Sequence, residues 1–472
     1  MEQHWKSLSE HLTLPEESRR RIRAQLAAQP SGQETACTKK NTFRLRAPLV
    51  AAALVAVMVV SVSAAALLGV FDRLKEQSAF ALLGMNEVYE EYAYDVGLSA
   101  VTEGGNTFTL EKAAIDGNFC TIFFSYHYAQ PLMTQAEFEA LDNSSPWAAY
   151  RWTPELYLML NGEVISAEGY SNSFELQQYV SDPSTVYGAW RCLLTAPLSS
   201  AADGAELELR GRTWKEEDGA WDPFSLVFPS RPCSSSVNTP DVTFSIYWGG
   251  KAMEIEVASL SRSPLGNLLT LRYEKNPNNG LGLDGSFVLR NKDTGAYIPF
   301  ARVWTMKGAD SAGILTDPYE LFGDLSDLDT LELIPVWYSS AISQRTTVPL
   351  SSLPWSDPTL TNGGYAPASY RVADGNRLIV EMKPIGPVTT NYSSIGNGVC
   401  FLDKDGNELF DRCSVEKFKD RSTGTITVVT TIEDPKDFAA NVDKVAALWF
   451  FTDDYTLLEN KAVTIPCPVS LK

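Results

Sequence analysis

The sequence predicts a mainly β protein: tandem Ig-like β-sandwich domains outside a membrane, preceded by one transmembrane helix and a short helical cytosolic tail. Three observations predict it. Ala47–Val70 is a run of 24 residues without a charge. A basic segment precedes that run and an acidic one follows it. Beyond residue 95, short alternating strands recur between Gly, Pro, Asn and Asp clusters, the pattern of all-β sandwiches.

The net charge of −19 conceals two unlike parts. Residues 1–47 hold nine Lys/Arg against five Asp/Glu, or +4, which leaves 30 against 53, or −23, for the rest. An acidic exterior argues against nucleic acid as a partner, because binding it requires clustered Lys and Arg on phosphates. At 472 residues the chain exceeds one ordinary domain. The divisions read from the sequence are a cytosolic helical tail over 1–46, a transmembrane helix over 47–70 and a juxtamembrane helical region over 71–95. Three sandwich domains then follow over 96–235, 236–355 and 356–472.

The apolar run is long enough to cross a hydrocarbon core of about 30 Å as a helix. Lys39, Lys40, Arg44 and Arg46 precede it, whereas the charges of Asp72, Arg73, Lys75 and Glu76 nearly cancel. The positive-inside rule therefore orients the N-terminus to the cytoplasm and the C-terminal region to the exterior of a single-pass cell-membrane protein in contact with lipid. The competing reading, a signal peptide cut near Ser63 and Ala64, needs an apolar core of only about 7–15 residues. Ser61, Ala65 and Gly69 form a small-residue stripe at helical spacing, which suits helix–helix contact and is also common background in an Ala-rich helix.

In the tail, Thr13-Leu14-Pro15-Glu16 is a capping box with proline in the first turn. It predicts a helix from Leu14 to Ala28 that carries Ile22 and Leu26 one turn apart. Trp5, Leu8 and Leu12 repeat the spacing in a shorter helix before it. Two such helices bury no core of their own, so the stripe Trp5, Leu8, Leu12, Ile22 and Leu26 is read as partner-binding. The alternative lays Arg19, Arg20, Arg21 and Arg23 along anionic lipid headgroups.

The exterior repeats one order of elements three times. A strand pair comes first: TFTLEKAAIDGNFCTIFFSYHY, then MEIEVASLSRSPLGNLLTLRYE, then YRVADGNRLIVEMKP. Next comes a central hairpin with a glycine turn: LYLMLNGEVISA, FVLRNKDTGAYIPF, VCFLDKDGNELF. A late Trp-bearing strand (ELELRGRTW, LELIPVWY, ALWFF) precedes a closing strand that ends at Pro229, Pro349 or Pro466.

No catalytic pattern accompanies this order, and neither an enzyme nor a cofactor is expected. His127 is the single histidine beyond the tail's His4 and His11, and no G-x-S-x-G elbow accompanies it. Ser414-Val415-Glu416-Lys417 matches S-x-x-K without the companion motifs of that enzyme class. Asp403–Asn407 resembles a calcium loop, yet its glycine falls at the fourth position, and a hairpin turn explains it better. No metal spacing is present. Cys400 and Cys413 flank one expected hairpin and are the candidate disulfide; buried free thiols are the alternative.

The tail LPEESRRRIRAQL, the single Ala/Val-rich span, LLGVFDRL, the acidic-aromatic VYEEYAYDVG and AAIDGNFCTIFFSY together resemble a Firmicutes family of single-pass membrane proteins. That family carries an extracytoplasmic domain of unknown function and is described as anti-sigma factors. The resemblance implies that the tail holds an extracytoplasmic-function sigma factor while the exterior senses an envelope condition. The expected function is thus a transmembrane anti-sigma factor or envelope-stress signalling protein. The alternative is a membrane-anchored binding or structural protein of the cell envelope, facing an unknown extracytoplasmic ligand or protein.

Overall fold

Runs rich in Val, Ile, Thr and aromatic residues bury alternate side chains, and β-branched and aromatic residues fit such a pleated, half-buried surface. Ile426–Ile432, for instance, reads ITVVTTI with Ile426, Val428 and Ile432 turned into the core. The computed structural model describes residues 86–139, 154–166, 176–195, 198, 203–215, 220–248, 251–274, 283, 285–303, 313–338, 344–357, 362–373, 376–389, 399–452 and 455–468. The protein is mainly β, with several sheets among these residues. No helix among them is long and apolar enough to cross a membrane. The span expected at 47–70 and the tail at 1–46 lie outside the described residues.

The first unit opens with a short helix, α1 (Asn86–Tyr92). Its strands are β1 (Tyr94–Val101), β2 (Thr107–Ile115), β3 (Phe119–His127), β4 (Glu155–Leu160), β5 (Glu163–Val164), β6 (Leu176–Asp182), β7 (Thr185–Leu193), β8 (Glu206–Lys215) and β9 (Ala220–Pro229), with α2 (Gln135–Glu139) after β3. One sheet runs β1-β2-β3-β7-β6 and the other β5-β4-β8-β9. Both contribute to one core, in which the Phe108 and Phe224 rings stack 4.3 Å apart. The buried Tyr126 hydroxyl meets the Thr213 hydroxyl at 2.9 Å, so its polar end is satisfied inside the core.

The second unit contains β10 (Ser236–Asn238), β11 (Thr243–Trp248), β12 (Lys251–Arg262), β13 (Asn267–Glu274), β14 (Phe287–Asn291), β15 (Phe300–Arg302), β16 (Ile314–Leu321) and β17 (Thr330–Tyr338). After β18 (Gln344–Pro349) the third unit supplies β19 (Tyr365–Ala373), β20 (Arg377–Pro384), β21 (Cys400–Leu402), β22 (Cys413–Lys419) and β23 (Ile426–Ile432). It continues through α3 (Pro435–Asn441) to β24 (Ala447–Thr452), β25 (Tyr455–Leu457) and β26 (Val463–Pro466). The strand pairs β2–β3, β12–β13 and β19–β20 each carry a one-residue bulge in the first strand, at Glu111, Ala258 and Ala368. A bulge sharpens local twist, so its recurrence gives the three pairs a common local shape.

The closing strands separate the units less cleanly than their sequence order suggests. In the first unit β8 and β9 pair with each other along ten residues. In the second, β17 instead pairs with β25 and β26 from the end of the chain. The strand that follows β17, β18, pairs with β24 of the third unit. The two units therefore exchange their closing strands. One buried cluster runs through both, from Phe244 and Leu333 to Val348, Leu448 and Ile465.

A buried ionic junction as the candidate functional site

Glu320 lies inside β16, in a run of buried residues from Asp317 to Leu321. An isolated carboxylate there is costly, and buried charges persist only when paired. Three cations meet it. Arg191 of β7 places Nη2 2.8 Å from Oε1, Arg421 places Nε 2.8 Å from the same oxygen, and Lys419 Nζ stands 3.9 Å from Oε2. The side chains of Arg191, Glu320 and Arg421 are at most 4% exposed, which puts this junction out of reach of solvent screening. One residue comes from each of the three units.

Each cation is oriented by neighbours. The Arg191 guanidinium lies 3.6 Å over the Phe119 ring and donates to the Leu265 carbonyl at 2.7 Å. The backbone N–H of Gly323 donates to the Arg421 carbonyl, which ties the turn after β22 to the end of β16. Lys419 stands 4.6 Å over the Phe322 ring. Burial by itself pushes the Glu320 carboxyl up, but the charges of Arg191, Arg421 and Lys419 outweigh it and hold the group down at about 2.

A second, polar clasp joins the β2–β3 turn to the β12–β13 turn. Asp116 accepts from the N–H groups of Asn118 and Phe119, both at 2.7 Å, and from Leu265 N–H at 2.9 Å. Burial raises its pKa despite these donors. Asn118 donates to the Ser263 hydroxyl and the Gly266 carbonyl and accepts from the Ser261 hydroxyl. Gly266 fits between the two networks because it has no side chain: a Cβ there would lie 2.7 Å from the Phe119 ring and 2.8 Å from Arg191 Nη2. Gly266→Ala is accordingly expected to cost about 1–3 kcal/mol through overpacking. Urea unfolding checks this, and a neutral result would mean that the two turns separate without loss.

The helix α1 is part of the same joint. Tyr89 is buried against Phe123 in an edge-to-face pair at 5.3 Å, and its hydroxyl lies 3.1 Å from that of Thr121. Thr121 is the register partner of Arg191. Tyr89, Phe119 and Phe123 share one buried cluster with Leu265 and Leu268 of the second unit.

Other residues singled out by the sequence fall elsewhere. Trp5, Leu8, Leu12, Ile22 and Leu26 and the stripe Ser61, Ala65 and Gly69 lie outside the described residues. His127 ends β3, exposed, with Nδ1 3.0 Å from the hydroxyl of its register partner Thr185. Ser414 and Lys417 sit three apart on the strand β22, so they point to opposite faces and form no nucleophile–base pair. Asp403 accepts from the N–H groups of Asp405 and Asn407, and Gly406 has φ +82°, which makes Asp403–Asn407 a hairpin turn. Among the described residues no group of His, Cys, Asp and Glu is placed to hold a metal ion.

Cys400 and Cys413, the pair considered for a disulfide, stand on strands of two different sheets. The hairpin between them closes early, at the Leu402–Glu408 bridge. Phe410 then adopts φ +66°, and the chain passes to the other sheet. Cys400 consequently pairs with Trp449 and Cys413 with Ile432. The junction itself escaped the sequence reading because its members are 129 and 101 positions apart and follow no motif. The available signal was an arginine enclosed by apolar neighbours in GAWRCLL and a glutamate likewise in PYELF.

No family model matches the chain. No curated protein sequence matches it either. Among solved structures, a conserved domain protein from Bacillus anthracis aligns with a TM-score of 0.35 and 12% identity, over 56% of this chain and 84% of its own.

Proposed function

We propose that the chain is a transmembrane anti-sigma factor or envelope-stress signalling protein. In this reading the tail over 1–46 binds an extracytoplasmic-function sigma factor, and a series of immunoglobulin-like sandwiches forms the sensing exterior. The observation that carries it is the seat of α1. This helix is the first described element after the apolar run, and Tyr89 packs in the cluster where the first and second units meet. A ligand that shifts the second unit against the first would have to move or release α1, because that cluster is close-packed. Such a joint gives an exterior event a direct route to the membrane-proximal segment.

The test is co-purification from cells of the native chain and of one whose residues 1–46 are replaced by an unrelated basic segment of equal length. A sigma factor is expected with the native tail alone. Unchanged transcription after the replacement would overturn the proposal. It would leave the second reading, a membrane-anchored protein whose exterior binds or supports the envelope while the tail only anchors.

A further inference from the structure

We propose that Cys120 and Cys192 form a disulfide across β3 and β7, a staple in the centre of the first unit. The two residues are register partners in an antiparallel ladder, and both side chains enter the same buried core. The Leu194 N–H donates to the Asn118 carbonyl two positions along, so Cys120 and Cys192 also occupy a hydrogen-bonded pair. Such pairs have Cα atoms about 5.5 Å apart, within the range that a disulfide spans, while their Cβ atoms start about 1 Å too far apart, so forming the bond draws β3 and β7 together locally. All six described cysteines, Cys120 and Cys192 included, are free thiols in this structure, and no other pair shares a ladder position: Cys400 faces Trp449, Cys413 faces Ile432, and Cys233 and Cys467 lie outside the strands. Contact with the Cys192 side chain, added to burial, raises the Cys120 thiol well above its ordinary range. This inference does not depend on the proposed sigma-factor role.

The chemistry is thiol–disulfide exchange with a small or protein disulfide as oxidant. One cysteine thiolate attacks the oxidant's S–S bond and releases one thiol; the other cysteine then displaces the second. Two S–H bonds and one external S–S bond are replaced by the internal S–S bond and two external thiols, with two electrons passed to the oxidant. Cys120 is fully buried and Cys192 is 4% exposed, so the exchange belongs to folding, before β3 and β7 close over it. The finished bond is then shielded from reductant until the unit opens.

The full chain is to be refolded in detergent with a mixture of reduced and oxidised glutathione, then denatured and alkylated without reductant, and its peptides weighed. The expected product is a linked Cys120–Cys192 peptide, two hydrogens lighter than its reduced parts, with the other cysteines alkylated. Alkylation of Cys120 and Cys192, or their linkage to other cysteines, would overturn the proposal. Thermal scans provide a second readout: reductant is expected to lower the Tm of the oxidised chain by about 5–10 °C. A chain with C120A and C192A should show no such response, and an equal fall there would assign the effect to other thiols and sink the idea.

Discussion

Glu320→Gln is expected to lower the unfolding free energy of the β region by about 3–5 kcal/mol near neutral pH. The amide preserves volume and removes a negative charge that Arg191 and Arg421 share. Both guanidinium groups would then stay buried without the Glu320 charge, which costs more than the intact triad contributes. Replacing the three residues together by apolar ones of similar size is therefore expected to be much milder than the single change. Urea unfolding of the two variants makes the comparison.

The pH dependence follows from the held-down carboxyl. In the unfolded chain a Glu titrates near its ordinary value of about 4.3, whereas folded Glu320 titrates at about 2. Its contribution is fully present above the unfolded value and is lost as pH falls from there through about 2. The whole shift corresponds to about 3 kcal/mol, in line with the mutational figure. The gap between the native chain and Glu320→Gln should be constant above about pH 5 and close below it. A gap that persists undiminished at pH 2.5 would show that the charge on Glu320 is not what the cations require.

Deleting the chain after residue 454 is expected to unfold part of the second unit, although the cut lies in the third. The deletion removes β26, which pairs with β17 at residues 330–333, and β25, which pairs with it at residues 336–338. It also removes Ile465, fully buried, and the apolar cover that Tyr455, Leu457 and Ala462 place over Val288, Ile334 and Val336. Losing these contacts and the ladder bonds costs about 5 kcal/mol or more. Ile465→Ala gives a gentler version, at about 2–5 kcal/mol. Hydrogen exchange locates the damage: protection should fall in β14 and β17 while β1–β9 keep theirs. Loss confined to residues beyond 356 would mean that the exchanged strands add little to the second unit.

How far the sequence anticipates these features depends on the range of the interaction. The glycine turns were legible because turn chemistry is local: Asn161-Gly162, Gly295 and Gly406 all have the positive φ that short polar or glycine residues adopt. The strand pairs were legible from alternation. The early closure after Leu402 was not, because the turn at Phe410 needs a positive φ from a bulky residue, which only tertiary packing enforces. The Cys120–Cys192 alignment depends on a register between strands separated in the chain by three others. One residue of slip would turn the cysteines to opposite faces.

By itself the sequence determined a charge-free run between a basic tail and an acidic remainder, and beyond it a β-rich chain punctuated by glycine turns. Those follow from composition, periodicity and turn residues, all short-range properties. Only the tertiary structure decided which sheet each closing strand joins and which charges share a buried site. β18 and β26 both close on a Val/Ile–Pro step, and that shared local pattern does not distinguish their destinations. Their partners are set by which edge, β24 or β17, stands beside them once the common core has formed.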